Sequence, residues 1–257
     1  MFSDGTLLSA QTTDNDENET VAEPQSIRFV LLNDTPLLDQ YFRLRWQVYC
    51  NEKGFLSPDL FPGAMERDEF DEIAYHFGCV DEQGTVIAGV RLVPESTLGF
   101  PAHGHCRMDI GFEPWASVAE LSRLVFSKGY RRGSGGAARA VADCEIVLGL
   151  YRAVYRMSKR TGITHWLAAM EPSLARLLNR FHFSFAPVGP VADYYGAVQP
   201  YLAGIDQLER SVFVKCPDLY WDFTADLEET LQPRPWLPGR RSNGWYALAQ
   251  EAQRACA

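Results

Sequence analysis

Apolar residues follow strand or helix spacing along most of the chain after residue 26. Short β-rich runs bounded by turn residues predict strands at 27–32, 74–80, 85–94, 119–127 and 164–170. Apolar positions with helical spacing predict helices at 35–53, 137–160 and 173–181. A hairpin-like pair of strands is predicted at 183–191 and 193–198. This order of elements predicts an α/β (α+β) fold.

The pattern also divides the chain into three regions. Residues 1–26 are polar and acidic, and we expect them to form a disordered tail. Residues 27–200 carry the alternating strands and helices of one domain. Residues 201–257 are predicted to be a C-terminal extension that packs a helix or two on the core.

Charge narrows the possible partners. The formal net charge is −9, but six acidic residues and no Lys or Arg fall within 1–26. The remaining 27 acidic and 24 basic residues nearly balance, so the chain lacks the basic domain expected of a nucleic-acid-binding protein.

The six cysteines are scattered, with neither a CxxC pair nor a metal-ligand spacing, so no metal site is expected. We find no basic segment followed by an apolar run at the start and no apolar window of about 20 residues. A cytoplasmic protein without an integral membrane segment is the expectation.

Candidate chemistry begins in the strand at 119–127. Strand alternation places Glu120 and Ser122 on one face and Leu121 and Arg123 on the other, unless a bulge realigns them. A surface ion pair between Glu120 and Arg123 is an equal alternative at this point.

A second acidic group lies in the loop before residue 74. Asp68 and Asp71 need a nearby cation to stay ionised side by side, and Arg45 and Arg91 are the candidates. Such a network is what a polar active site requires, although a solvated turn explains the two acids equally well.

A glycine-rich segment follows the strand that holds Glu120. Glycine lets backbone N–H groups approach an anion, and a helix start attracts phosphate. The candidate phosphate-binding residues are Lys128, Arg131, Arg132, Gly133 and Gly135. Basic residues continue along the following helix, where they either contact an acidic carrier protein or form a solvated face: Arg152, Arg156, Lys159 and Arg160. A plain turn is the alternative for the glycine segment.

Four motifs in order resemble the acyl-homoserine-lactone synthases of the GNAT superfamily. Arg45, Tyr49 and Phe55 resemble the family's Arg-x3-Phe-x5-Trp. Residues 66–71 resemble Glu-x-Asp-x-Tyr-Asp, 91–94 resemble Arg-Leu-Leu-Pro, and 120–123 read Glu-Leu-Ser-Arg. The resemblance covers about residues 27–200. It implies the GNAT acyltransferase fold, with a mixed, mainly antiparallel sheet and the long helix crossing between central strands.

Three features separate the chain from the lactone synthases. Phe55 replaces the family's Trp, and residues 48–62 and the chain beyond 200 are similar to the PEP-CTERM/exosortase-associated acyltransferases. That branch is also similar to long-chain N-acyl amino acid synthases. The resemblance therefore implies an N-acyltransferase that moves a fatty acyl group from an acyl-carrier-protein or CoA thioester to a small amine, with no permanently bound cofactor.

The resemblance also implies roles for single residues. Glu120 is the general base, Arg123 holds the acceptor or orients carboxylates, and Asp68, Asp71, Arg91 and Arg45 shape the amine pocket. Backbone N–H groups around Leu124, Val125 and Phe126 hold the pantetheine arm and polarise the carbonyl. Further substrate contacts are expected from Trp46, Tyr49, Phe55 and Phe126, with core packing as the alternative.

Two other functions stay open. One is a lactone synthase that uses S-adenosylmethionine, against which Phe55 and the long C-terminal region count. The other is a non-catalytic GNAT-like module that binds a carrier protein or acyl ligand. The presence of Glu120, Arg123 and the acidic pair with Arg91 counts against that module.

Overall fold

The computed structural model describes residues 27–109, 117–128 and 137–233. Within these ranges, eight strands form the sheet in the order β1-β2-β3-β4-β5-β8-β6, and β7 pairs with β8. The strands are β1 (Arg28–Leu31), β2 (Tyr75–Val80), β3 (Val86–Pro94), β4 (Val118–Phe126), β5 (His165–Met170), β6 (Ala186–Pro187), β7 (Ala192–Asp193) and β8 (Ala197–Gly204). All paired strands are antiparallel except β4 and β5. The α/β fold with a mainly antiparallel sheet is thus confirmed. The predicted tail over 1–26 lies outside the described residues.

Five helices flank the sheet in the described part of the chain. They are α1 (Thr35–Trp46), α2 (Ala137–Thr161), α3 (Pro172–Arg180), α4 (Ile205–Lys215) and α5 (Pro217–Thr224). The Asp34 side chain caps α1 by accepting the Leu37 N–H at 2.8 Å, and Pro36 lies in the first turn. The segment Gln47–Glu52 continues α1 as a π-helix, so the predicted helix over 35–53 is confirmed with a wider last part. No described helix is both long and apolar enough to cross a bilayer.

The two faces of the sheet carry separate cores. On one face, Tyr41 and Phe42 of α1 pack against Val80, Val86 and Val125 of the sheet. Gly89 allows this close approach, because a Cβ there would lie 2.5 Å from the Tyr41 ring. On the other face, α2 packs against a larger cluster of strand side chains that includes Phe77, Val90, Leu92 and Leu121.

The sheet splits between β4 and β5. These parallel strands pair only from Val118–His165 to Glu120–Leu167. Beyond Glu120, β4 continues to Phe126 along β3, while β5 continues to Met170 along β8. The two strands therefore diverge at Glu120 and leave an opening through the sheet.

The strand pattern near residue 190 differs from the prediction. The short strands β6 and β7 both pair with β8, rather than forming a hairpin of 183–191 with 193–198. The strand predicted to end at residue 198 instead continues to Gly204 through Pro200, whose carbonyl accepts the Val188 N–H at 2.9 Å. The boundary predicted between residues 200 and 201 thus falls inside a strand of the central sheet.

The C-terminal extension covers the basic face of α2. Helices α4 and α5 and the residues after them place acidic side chains opposite the basic row. The ion pairs are Arg152–Asp222, Arg156–Asp226, Lys159–Glu209 and Arg160–Glu228. These four side chains are therefore paired within the chain, and a carrier-protein contact along this row stays a prediction.

Candidate active site

A β-bulge in β4 brings the candidate residues onto one face. Gly89 lies opposite Val125 and Arg91 opposite Ser122, so β4 carries one residue more than β3 between these pairs. The extra residue is accommodated at Arg123, whose φ of 54° is in the left-handed region. The bulge turns the Arg123 side chain to the α1 face, where it meets the same acidic group as Arg91. Regular strand alternation would place Arg123 on the face opposite Glu120 and Ser122. The structure instead has the bulge that the sequence analysis left open.

Three arginines and three carboxylates form one buried network on this face. Arg45 binds Glu66, and its guanidinium also binds Asp71 at 2.6 and 3.0 Å. Arg91 binds Asp68 and reaches Asp71 at 2.7 Å. Arg123 joins Glu66 at 3.1 Å to Asp68 at 3.0 Å. Arg45 and Arg91 are 0% exposed and Glu66 is 1% exposed, so the network is internal rather than a surface pair.

A single turn positions two of the three carboxylates. Asp68 begins the 3-10 turn Glu69–Glu72, and its side chain accepts the Phe70 N–H at 3.0 Å. Asp71 returns the contact by accepting the Asp68 N–H at 2.8 Å. The Glu66 N–H donates to the Phe42 carbonyl of α1 at 3.1 Å, which ties the segment to the helix that carries Arg45.

The network holds its charges. Burial is the largest single effect and alone would raise the pKa of Glu66 and of Asp71. The opposing effects together outweigh it, from Arg45 and Arg123 at Glu66 and from Arg45, Arg91 and the Asp68 N–H at Asp71, so both pKa values lie below the ordinary range. Burial disfavours the charged form of Arg123, yet the neighbouring Glu66 keeps its pKa well above the ordinary value. Three positive and three negative charges cancel, so the network offers rigidity and shape rather than net charge.

Glu120 differs from Glu66 and Asp71, because its pKa is raised rather than lowered. It lies at the point where β4 and β5 diverge, is 1% exposed, and accepts the backbone N–H of Ala102 at 2.9 Å. Burial raises the pKa of Glu120 to about 7, against weaker opposing effects of the Ala102 N–H and of Arg91. A carboxyl that gains and loses its proton near neutral pH is suited to general-base catalysis.

This raised pKa makes stability depend on pH. The folded-state pKa of about 7 exceeds the ordinary value of 4.5, so stability from Glu120 is present at low pH and is lost as pH rises from about 4.5 through 7. Glu120→Gln lacks that loss, so between pH 5 and 8 its free energy of unfolding should rise relative to wild type by on the order of 2–3 kcal/mol. Urea denaturation at both pH values measures the change. Glu145→Gln, at an exposed position of α2, is the matched control. Equal pH dependence in wild type and Glu120→Gln would contradict the raised pKa.

A cavity of about 340 Å³ passes through the split and joins the two faces. On the α1 face its walls include the polar or aromatic residues Tyr49, Glu120, Ser122, Arg123 and Tyr195, beside Val48 and Val125. On the α2 face its walls belong to the large apolar core or pack against it: Leu121, Leu124, Phe126, Tyr151, Met170 and Leu174. The cavity therefore has a polar half and an apolar half, with Glu120 at the junction.

Aromatic rings surround Arg123 on the polar side. Its guanidinium lies 5.2 Å from the Tyr49 ring centroid and 4.9 Å from that of Tyr195. The Phe55 ring centroid lies 6.1 Å from that of Tyr195, and burial raises the pKa of Tyr194 to about 12 against the weaker opposing effect of nearby Arg123. Tyr195 has a φ of 55°, which fits the tight turn between β7 and β8. The tyrosine pair was not predicted as part of the site, since its sequence signal is a Tyr-Tyr-Gly turn much further along the chain than Arg123.

The predicted site residues fall into three groups. Those that line the cavity are Glu120, Arg123, Tyr49, Phe55, Leu124, Val125 and Phe126. Arg45, Arg91, Asp68 and Asp71 lie behind its wall in the buried network, together with Glu66. Trp46 is half-buried and does not line the cavity.

The candidate phosphate-binding residues are described only in part. Lys128 is exposed and lies 3.6 Å from Glu52. Arg131, Arg132, Gly133 and Gly135 fall outside the described residues. Within the described ranges, no three His, Cys, Asp or Glu side chains are grouped as a metal site would require.

Known proteins share this domain and fold. Residues 44–139 match the profile of the acetyltransferase (GNAT) domain. FeeM, an N-acyl amino acid synthase from uncultured soil microbes, is 12% identical and has a TM-score of 0.54, over 75% of this chain and 97% of its own. BjaI, a CoA-dependent acyl-homoserine lactone synthase, is 19% identical with a TM-score of 0.57, over 90% of this chain and all of its own. The acyl-homoserine lactone synthase LasI is 19% identical with a TM-score of 0.53, over 71% and 91%. The matched domain supports an acyltransferase, and these structures show the GNAT fold.

Proposed function

Starting from an acyltransferase of the GNAT fold, we propose that this chain transfers a fatty acyl group from a phosphopantetheine thioester to the amine of an amino acid or related small molecule. One observation carries the proposal. A buried carboxyl with a pKa of about 7, Glu120, lies where a polar half-cavity meets an apolar one. A thioester is already activated, so the reaction needs a deprotonated amine, a positioned carbonyl and space for the tail, and this cavity supplies all three.

Glu120 takes a proton from the acceptor amine, directly or through water, as the nitrogen attacks the thioester carbonyl. The C–N bond forms, the C–S bond breaks, and the thiol of the carrier leaves with a proton. Backbone N–H groups of residues 124–126, just after the bulge at Arg123, stabilise the developing oxyanion. The bulge supports this role because Arg123 and Leu124 have no paired residue on β3.

The buried network positions the acceptor through rigidity. Arg123 is fully engaged by Glu66 and Asp68, so it holds the Tyr49 and Tyr195 rings in place rather than supplying a free charge. The acceptor amine meets the polar half of the cavity, next to Glu120 and Ser122. The acyl tail then extends through the split to the apolar half against α2.

The donor and the pathway are supported by the similar structures and by the sequence resemblance. FeeM is an N-acyl amino acid synthase, which supports an amino acid as the acceptor, and BjaI is a CoA-dependent synthase, which supports a CoA thioester as the donor. A donor carried by acyl carrier protein rests on the sequence resemblance. The pyrophosphate or phosphopantetheine contacts are assigned to Lys128 and to the segment with Arg131, Arg132, Gly133 and Gly135. Association with exosortase-dependent sorting rests on the sequence resemblance of residues 48–62.

Purified protein with an acyl thioester and a mixture of amino acids tests the reaction. Thiol release should depend on the acceptor, and mass spectrometry should identify an amide that contains both substrates. The panel includes acyl carrier protein and CoA thioesters of several lengths, and S-adenosylmethionine as a separate acceptor. A lactone formed only with S-adenosylmethionine would overturn the proposed acceptor, and tight thioester binding without thiol release would indicate a binding module.

The apolar half of the cavity predicts a determinant of chain length. Tyr151 is 2% exposed, lines the cavity, and packs against Trp166 at 6.0 Å and Phe183 at 6.2 Å, so its ring is a fixed wall. Tyr151→Ala should shift the relative kcat/KM toward longer acyl chains by about tenfold or more. Tyr155→Ala, on the same helix and equally buried but outside the cavity wall, is the matched control. An unchanged chain-length profile in Tyr151→Ala would show that the tail does not reach α2.

A further inference from the structure

We propose that the backbone amide of Ala102 is the positioning group of Glu120, so that the connection between β3 and β4 sets the orientation of the catalytic base. The inference rests on the proposed role of Glu120.

The donor is rigidly held. Ala102 is 0% exposed and lies in the 3-10 turn Pro101–Gly104. Its carbonyl accepts the Cys106 N–H at 2.8 Å, and its side chain packs with Cys106 and Val198. Pro101 has no N–H, so Ala102 presents the first N–H of the turn, and this N–H has no partner within the turn. It points at Glu120 Oε2 across 2.9 Å.

The contact with Ala102 makes the two carboxyl oxygens of Glu120 inequivalent. Oε2 accepts the Ala102 N–H, whereas Oε1 accepts no hydrogen bond from a described residue. Because Glu120 lines the cavity, Oε1 is the oxygen available to take a proton from the acceptor. A carboxyl group with one oxygen held by a hydrogen bond keeps a single orientation, whereas a carboxyl group without such a bond rotates freely.

The other groups around Glu120 act less directly. Charged or titratable groups that face it come from β3, β4, the acidic turn, the β3–β4 connection and the β7–β8 turn: Arg91, Arg123, Asp68, Cys106 and Tyr194. Among those that favour the carboxylate form, the Ala102 N–H acts most strongly, ahead of Arg91 and Arg123, which are already neutralised by Asp68, Asp71 and Glu66.

The first test needs no substrate. In protein labelled with 15N-alanine, the Ala102 amide resonance should move with pH, with a midpoint near the pKa of Glu120 of about 7. Ala102→Gly assigns the resonance by its loss, and Glu120→Gln should abolish the movement. The amide of Ala88, buried in β3, is the internal control and should not share this midpoint. An Ala102 resonance insensitive to pH between 5 and 9, or one that still titrates in Glu120→Gln, would overturn the proposal.

The second test measures the consequence for turnover. The Ala102 N–H stabilises the carboxylate form of Glu120, and Ala102→Pro removes it. The acid limb of the kcat profile should therefore move to higher pH by about one unit, which lowers the rate on the acid side of the limb by about tenfold. Ala102→Gly keeps the N–H and should leave the limb in place. Equal shifts of the acid limb in Ala102→Pro and Ala102→Gly would mean that lost packing causes the shift, and would contradict the positioning role of the N–H. If Ala102→Pro does not fold, the titration decides alone. If the titration appears but no amide product forms, the proposed function fails and the positioning contact stands.

Discussion

Glu120→Gln should lower kcat by about 10²- to 10⁴-fold, the usual contribution of a general base. The substitution keeps the size of the side chain and an oxygen to accept the Ala102 N–H, so the fold and the cavity should remain. Since the amide cannot take a proton, the loss should fall on kcat rather than on the KM of the acyl donor. Stopped assays of thiol release across a range of pH measure both parameters.

The pH dependence of kcat provides a second test of Glu120 as the general base. Wild-type activity should fall below a midpoint near 7, where Glu120 becomes protonated. In Glu120→Gln the residual rate should lose this acid limb. Glu171→Gln changes another carboxyl that lines the cavity, at the end of β5, and serves as the comparison. A Glu120→Gln enzyme with turnover within threefold of wild type would remove Glu120 from the mechanism.

Glu66→Gln should reduce the free energy of unfolding by about 3–5 kcal/mol at pH 7, as expected when one partner of a buried ionic network is removed. Glu66 is 1% exposed and joins Arg45 to Arg123, so its loss leaves a buried positive charge uncompensated. The lowered pKa of Glu66 means that its stabilisation is present above the unfolded-state pKa and is lost as pH falls through the folded-state value. Urea denaturation at pH 7 and at decreasing pH measures both effects.

A surface ion pair that also joins the segment around Glu66 to α1 provides the control. Arg67 and Asp39 lie 2.7 Å apart with 49% and 31% of their side chains exposed. Asp39→Asn should reduce the free energy of unfolding by less than about 1 kcal/mol. Similar losses in Glu66→Gln and Asp39→Asn would mean that the buried network contributes no more than a surface ion pair.

The sequence allowed much of the fold to be predicted because its elements are local. The helix over 35–53 has a cap, a proline in its first turn and apolar periodicity, and the structure confirms it with a π-helical last part. The strands of the central sheet were likewise predictable from short apolar runs. The pairing around β8 was not, because Pro200 is a local signal for a strand end and only the partner strands override it.

The residues of the candidate site could be predicted from the sequence, but their spatial arrangement could not. The acidic and basic motifs named most members of the network, whereas their assembly depends on the bulge at Arg123, which no spacing reveals. The contacts of Ala102, Tyr194 and Tyr195 join residues far apart in the chain and involve a backbone N–H or an unremarkable turn. The basic row on α2 had a clear sequence signal, but three of its ion-pair partners lie 68 to 70 residues later in the chain.

Mass spectrometry of lipid extracts tests the central claim most directly. Cells that express the wild-type chain are compared with cells that express Glu120→Gln at the same level. The account predicts a new N-acyl amino acid, or the N-acyl derivative of a related small amine, that is present with the wild-type chain and absent with the variant. A product that persists unchanged in Glu120→Gln cells, or an acyl-homoserine lactone in its place, would contradict it.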